Sequence, residues 1–380
     1  MEPQQVAAFL PREIIAYILK LLPVKTLIRF QCVCKNWKNL IKSPSFITDH
    51  LHHSSQHRPC LLFHEFLNHD FLELYLLNCE MQAFEVQNIP FVQGGLWIVG
   101  SSNGLLCIRI DRYAKVISPP PLLLVWNPAF RDVRSVFPTF PDFEGDCYIG
   151  FGYSPIVNDY KIVVLYLSKY DFQVHVVEVY SLSTGSWRNI EVFDLVGLTI
   201  TGQPAGFTVN GAIFWFGYKR DDEGGCECVT VSFDIANEEF SFIPVPDVDV
   251  DRDLRCRVNF TEFEHRLTII FPTMTENPVS CFIELWMLEE GTYGSGERWS
   301  WAKTFVLSPV DLHPTTIWRN EIVGVCGLLP GEEEGPEIVE RIVLFNINGT
   351  VLRVIFERGY STFNYVESLV PVRNIHINES

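Results

Sequence analysis

A small bundle of α-helices followed by an all-β propeller is the architecture that this chain of 380 residues predicts. Five aromatic residues, Trp126, Tyr180, Phe233, Trp286 and Phe345, recur at gaps of 54, 53, 53 and 59, each inside a similar short apolar strand. Leu74-Tyr75 extends the series 51 residues upstream. A period near fifty with four strands per unit is what a propeller requires. Counting Tyr75 gives six blades, with seven as the alternative if the irregular ends hide another. Ahead of the repeats, residues 10–51 place their apolar side chains at helical spacing. The expected division is a helical module at 1–51, a polar linker at 52–60 and the propeller at 61–380.

Each helix has a start or a stop in the sequence. Pro11 opens a segment whose Ile14, Ile15, Ile18, Leu19 and Leu22 share one helix face, and Pro23 ends it. A second helix from about Val24 carries Leu27, Phe30, Cys34 and Trp37 at steps of three and four. Pro44 breaks that pattern before a last short turn with Phe46 and Ile47, and the histidine-rich run His52 to Pro59 reads as the linker. Forty residues have too little interior to bury this much apolar surface among themselves. The excess therefore marks a partner site or packs on the domain behind.

Within the repeats, tight turns precede apolar strands. Asn103-Gly104 leads into Leu105 to Ile108, and Asn210-Gly211 into Ala212 to Phe216. Asn-Gly favours a hairpin because both residues tolerate positive φ. Equivalent turns without glycine are expected at Asn158-Asp159, Glu264-His265 and Asn320-Glu321. The aromatic strand often leads to a second turn and another aromatic, as in Tyr180 to Trp187, while Val343 to Leu352 turns at Asn348-Gly349.

Composition limits the partners. A hydrophobic fraction of 47% fits a folded protein with a large core. No apolar run reaches the roughly 18 residues that span a bilayer, and the first residues lack a secretory pattern, so the expected compartment is the cytoplasm or the nucleus. Eleven irregularly spaced cysteines fit reduced thiols. The net charge of −17 is uneven: residues 1–60 carry +5 (8 Lys and Arg against 3 Asp and Glu), leaving −22 on the rest. An acidic body disfavours nucleic acid and anionic lipid and favours basic partners; solubility alone explains it equally well.

Leu10-Pro11, Leu22-Pro23-Val24-Lys25, Cys32-Val33-Cys34-Lys35, Trp37 and Ser43-Pro44 with Phe46 occur in an order that resembles the F-box motif of plant proteins. The family's acidic-Leu-Pro opening is Phe9-Leu10-Pro11 here. The resemblance implies docking to a Skp-type adaptor and, through it, to a cullin scaffold. It assigns Leu10, Pro11, Ile14, Ile18, Pro23, Val24, Leu27, Val33, Cys34 and Trp37 to the adaptor contact and local core, without dividing the two. Leu124-Val125-Trp126-Asn127-Pro128 and Gly150-Phe151-Gly152-Tyr153 resemble the plant F-box-associated domain. The repeats also resemble kelch blades, although the double-glycine start of a kelch blade is missing.

In an up-and-down blade, the turns between first and second and between third and fourth strands share one face. The remaining connections share the other. Four acidic stretches fall in that second group: Asp142, Glu144 and Asp146; Asp221, Asp222 and Glu223; Asp247, Asp249, Asp251 and Asp253; and Glu332, Glu333 and Glu334. They are expected to form an acidic face that takes a basic protein, since loops on a rigid scaffold carry binding function.

The sequence offers no catalytic site. The run from Asp247 to Asp253 lacks the glycine and the glutamate of a calcium loop, with Arg252 and Val258 in their places. Cys32/Cys34 and Cys226/Cys228 are too closely spaced for the usual zinc hook. Ser181 to Trp187 departs from a sialidase box at Ser183 and is one residue short. Neither a metal nor a cofactor is expected. The resemblance therefore implies a non-catalytic substrate receptor of an SCF-type ubiquitin ligase. Two alternatives stand beside it: a glycan- or small-molecule-binding propeller tethered by its F-box, and a receptor of basic ribonucleases, as in the S-locus F-box proteins that the C-terminal Tyr365 to Val370 resembles.

Overall fold

The computed structural model describes residues 10–372 apart from 69–70, 87–94, 112–121, 131, 140–144, 203–204, 221–224, 247–257, 277–278, 291–298, 307–312, 327–340, 347–349 and 358–360. Four helices open it: α1 (Arg12–Lys20), α2 (Val24–Phe30), α3 (Lys35–Ile41) and α4 (Pro44–His57). Pro11 and Pro23 occupy the N-caps of α1 and α2, so Pro11 stands just before the first helical residue, Arg12, and is not itself that residue as expected. Cys34 caps α3 by accepting from the Trp37 N–H, and Ser43 caps α4 by accepting from that of Phe46.

The expected short turn and linker are instead one helix of 14 residues. Ser43-Pro44 is a strong start signal, and burial then holds the polar continuation in place. His50 and Ser54 are both buried, the His50 Nε2 lying 2.9 Å from the Leu22 carbonyl and the Ser54 hydroxyl 3.5 Å from Nδ1. Polar spacing looked like a linker because those polar atoms find partners inside, which a pattern of residue types cannot reveal.

The strands form six sheets arranged as blades. β1 (Cys60–Asn68), β2 (Phe71–Leu77) and β3 (Ala83–Glu85) belong to the first, and β4 (Gly95–Ser102), β5 (Leu105–Asp111), β6 (Leu122–Asn127) and β7 (Asp132–Val136) to the second. β8 (Gly145–Ser154), β9 (Asp159–Ser168), β10 (Val174–Ser181) and β11 (Ser186–Ile190) make the third. The fourth holds β12 (Leu198–Thr201), β13 (Phe207–Val209), β14 (Ala212–Arg220), β15 (Cys226–Asp234) and β16 (Glu239–Pro244). The fifth comprises β17 (Asn259–Phe263), β18 (Arg266–Glu276), β19 (Val279–Glu290) and β20 (Trp299–Val306). The sixth comprises β21 (His313–Trp318), β22 (Glu321–Cys326), β23 (Arg341–Phe345) and β24 (Val351–Glu357).

β25 (Ser361–Tyr365) then closes the ring by pairing with β1, from Cys60 opposite Tyr365 to His64 opposite Ser361. The C-terminal strand is thus the inner strand of the first blade, and the count is six rather than seven. All six repeat aromatics, Tyr75 included, fall on the third strand of their blade. Trp126, Tyr180, Phe233 and Phe345 are buried. The aromatic after the turn is the cross-strand partner: Tyr180 faces Trp187 at 5.1 Å between rings, and Phe233 faces Phe240 at 4.9 Å.

Asn103-Gly104 and Asn210-Gly211 have positive φ at both positions, as two-residue hairpin turns need. Glu264-His265 adopts the same conformation without glycine, and the turn expected at Asn320-Glu321 is centred one residue earlier, on Arg319-Asn320. The glycines of Gly150-Phe151-Gly152-Tyr153 serve packing. A Cβ on Gly150 would lie 2.5 Å from Ile213 and Trp215, and one on Gly152 would lie 2.5 Å from Thr208.

The helices sit on the face that carries the first-to-second and third-to-fourth turns. Ala129 and Phe130, from the β6–β7 turn, pack with Leu369 against Leu19, Val24, Leu27, Ile41 and Phe46. Residues 366–372 form a strap across this junction. Asn127 Nδ2 donates to the carbonyls of Ser368 (3.2 Å) and Val370 (2.7 Å), and Val372 N–H donates to Asp132 (3.2 Å). The Arg58 guanidinium donates to the Leu21 carbonyl. Burial raises the Glu367 carboxyl pKa, against the opposing pull of Lys25 and Arg58.

Gly150→Ala is expected to cost about 1–3 kcal/mol through overpacking, read as a lower urea midpoint. Gly100→Ala, whose Cβ would meet only the Phe151 carbonyl at 3.8 Å, is expected to cost much less. Burial lowers the His50 pKa below its ordinary 6.5, opposed by its hydrogen bond to Leu22 and assisted by Arg58. The folded state therefore binds fewer protons than the unfolded one, and stability falls as pH drops through about 6.5. The melting temperature should decrease between pH 7.5 and 5.5, and His50→Gln should flatten part of that decrease.

Candidate functional site

The ten residues assigned to adaptor contact or local core separate cleanly. Val24 and Leu27 are core, 1% and 0% exposed, and Trp37 is half-buried against Phe30 with 5.3 Å between rings. Leu10, Pro11, Ile14, Ile18, Pro23, Val33 and Cys34 are exposed. Helix α1 is apolar on two sides, which is why sequence alone could not divide them. Ile15, Leu19 and Leu22 face the core, while Leu10, Ile14 and Ile18 follow one another at steps of four on the outside. Tyr17 and Leu21 widen this outer ridge. Neither was singled out from sequence, although Tyr17 stands three residues after Ile14 and Leu21 three after Ile18, spacings that could have shown it. The ridge is left over after the module has closed its own core, so it is apolar surface with no partner inside the chain among the described residues.

Of the acidic residues, Asp146 is exposed at the start of β8. Asp142, Glu144, Asp221, Asp222, Glu223, Asp247, Asp249, Asp251, Asp253, Glu332, Glu333 and Glu334 lie outside the described residues, as does the turn at Asn348-Gly349.

A channel of about 1650 Å³ runs between the inner strands. Thr48, Leu51, His52 and Ser55 of α4 line it together with the turn residues Asn103 and Asn210, so the helices overhang one mouth. Towards the other end stands half-exposed Trp97. Glu262, Glu264, His265 and Arg319 gather near the helical mouth, whereas hydroxyl and amide side chains such as Thr208, Asn259, Thr316 and Asn364 mix with apolar ones along the wall between. Thr261 meets Thr316 at 3.1 Å and Thr315 meets Thr362 at 2.5 Å, linking neighbouring inner strands. No group of three or more His, Cys, Asp or Glu side chains that could hold a metal occurs among the described residues. No helix there is long and apolar enough to cross a membrane.

Comparison with known proteins agrees with this layout. Residues 9–49 match the F-box domain, and residues 53–327 match the F-box associated beta propeller domain. The putative F-box protein At5g62660 of Arabidopsis thaliana is 29% identical over 335 residues, covering 82% of this chain and 81% of its own length. The F-box protein CPR1 of the same plant is 25% identical over 323 residues, covering 79% and 73%. Among solved structures, the β-propeller domain of the trilobed protease from Pyrococcus furiosus aligns with a TM-score of 0.38 at 13% identity over 70% of each chain. That level is too low to argue from. With an F-box at its start and an F-box associated propeller over most of its length, the chain belongs to the F-box protein family.

Proposed function

We propose that this chain is the substrate-recognition subunit of an SCF-type ubiquitin ligase, acting in the cytoplasm or nucleus without chemistry of its own. The observation that carries this reading is the exposed α1 ridge of Leu10, Ile14 and Ile18, with Val33 also exposed in the α2–α3 turn, on a module whose core is already complete. A Skp-type adaptor covers the ridge and brings the cullin scaffold with it. The propeller holds a protein target at its far end. Its contribution to rate is proximity, which raises the local concentration of a target lysine near the ubiquitin-conjugating enzyme.

A second reading, a small-molecule or glycan receptor, is favoured by the channel, where Trp97 and Tyr153 accompany hydroxyl and amide side chains and few acids. Thermal shift of the full chain against a panel of neutral oligosaccharides separates the two, because only a channel ligand raises the melting temperature.

Replacing Ile14 and Val33 together by Asp should weaken binding of a recombinant plant Skp-type adaptor by roughly tenfold or more, the scale of a lost interface anchor, with the melting temperature unchanged. Leu27→Ala should do the reverse. It opens a core cavity worth about 2–5 kcal/mol while leaving the ridge in place. Isothermal titration and thermal unfolding of both variants check this pair. Full adaptor affinity in the double variant would dismiss the ridge as the docking surface.

A further inference from the structure

Four large apolar side chains project from one end of the third and fourth blades: Tyr170 (83% exposed), Phe172 (58%), Phe193 (79%) and Val196 (70%). Tyr170 and Phe172 belong to the β9–β10 turn, Phe193 and Val196 to the β11–β12 connection. Both connections lie on the face opposite the β6–β7 turn that touches the helices. The two segments are neighbours in space, because Gly197 N–H donates to Gln173 Oε1 at 3.2 Å.

Both are also anchored. Leu195 is buried with Leu167 and Val174, Lys219 donates to the Asp194 carbonyl at 3.1 Å, and Arg220 N–H donates to the Gly197 carbonyl at 3.1 Å. Phe172 stands in the left-handed region at φ +58°, which a bulky side chain rarely adopts. Its turn is closed by Phe172 N–H to the Ser168 carbonyl (2.8 Å) and Ser168 N–H to the Gln173 carbonyl (3.0 Å). Asp171 supports it by accepting from Gln173 N–H and pairing with His175 at 2.9 Å. Strain held by surrounding structure, with an aromatic displayed to water, is characteristic of a binding feature rather than of a solubility loop.

The charge around the patch selects its occupant. Lys169 and Lys219 lie over the rings of Tyr170 and Phe242. Asp171, Glu191 and Asp194 stand within the same two segments, in a body that carries −22. We infer that Tyr170, Phe172, Phe193 and Val196 form the target-docking surface, and that the partner is a polypeptide segment presenting apolar side chains flanked by Lys or Arg. This rests on the reading of the chain as a substrate receptor and specifies the target's chemistry.

The test uses the full chain and three synthetic 12-residue peptides read by fluorescence anisotropy: an aromatic core flanked by Lys and Arg, the same core flanked by Glu, and a serine core with the basic flanks. The first peptide should bind at least tenfold more tightly than either of the others, a preference weakened by salt. Tyr170→Ser/Phe193→Ser should abolish that preference. Phe172→Gly should also reduce binding while holding or raising the melting temperature, since glycine accepts φ +58° without strain. Equal binding of the aromatic and serine peptides, or an unaltered double variant, overturns the proposal. So does a dimer, seen by sedimentation, that the double variant dissolves, because the occupant is then a second copy of this chain. Binding of a Skp-type adaptor, titrated in parallel, separates the two levels. Loss of adaptor binding with the peptide preference intact refutes the ligase reading alone.

Discussion

The pairing of β25 with β1, continued by residues 366–372, is the contact on which the rest of the molecule depends. Without β25 the first blade would hold three strands and leave the inner edge of β1 unpaired, and unpaired strand edges invite association. Here the closing strand comes from the far end of the chain, so the ring is complete only when the whole chain has folded. The same segment then places Leu369 in the core of the helices, 2% exposed. Burying one leucine contributes about 1.5–3 kcal/mol. The two carbonyls held by Asn127 fix where along the module that leucine enters. One strap therefore closes the sheet ring and seats the helices on it.

Seating the helices this way fixes the distance between two surfaces. The exposed ridge of α1 lies on the side of the short turns, while the aromatic patch of the third and fourth blades lies at the other ends of the strands. β9 alone spans ten residues, about 33 Å at the usual rise per residue. A rigid spacer between an adaptor surface and a target surface limits the positions a bound target can occupy. On the proposed reading, proximity of that kind, with few wasted orientations, is the chain's contribution to a transfer reaction carried out elsewhere.

Much of this was legible in the residues, and what was missed was missed for physical reasons. The aromatic period placed the third strand of every blade correctly, because a large ring at this position packs between neighbouring strands, buried at Trp126, Tyr180, Phe233 and Phe345 and half-buried at Tyr75 and Trp286. The Asn103-Gly104 and Asn210-Gly211 turns were readable because positive φ is chemically selective. Without a glycine to mark the turn, Glu264-His265 was placed correctly but Arg319-Asn320 was missed by one residue. The linker failed because His50 and Ser54 satisfy each other and Leu22 inside a helix. The motifs behind the resemblance to the F-box-associated domain are structural in this chain. Asn127 clamps the strap, and Gly150 and Gly152 admit Trp215 and Thr208 at close range. The split of α1 into a core face and an outer ridge needed the position of the propeller, which supplies Leu369, Ala129 and Phe130 to one side only. The patch at Tyr170 and Phe193 gave no sequence signal because its two segments adjoin only through the sheet.

Hydrogen–deuterium exchange of the full chain, alone and saturated with a Skp-type adaptor, tests the central claim most directly. The strap at residues 366–372 and helix α4 should exchange slowly in the free chain and change little. New protection should be confined to the segment from Leu10 to Leu21 and the α2–α3 turn around Val33. Rapid exchange of the strap in the free chain, or adaptor-induced protection centred on α4 in place of α1, would contradict it.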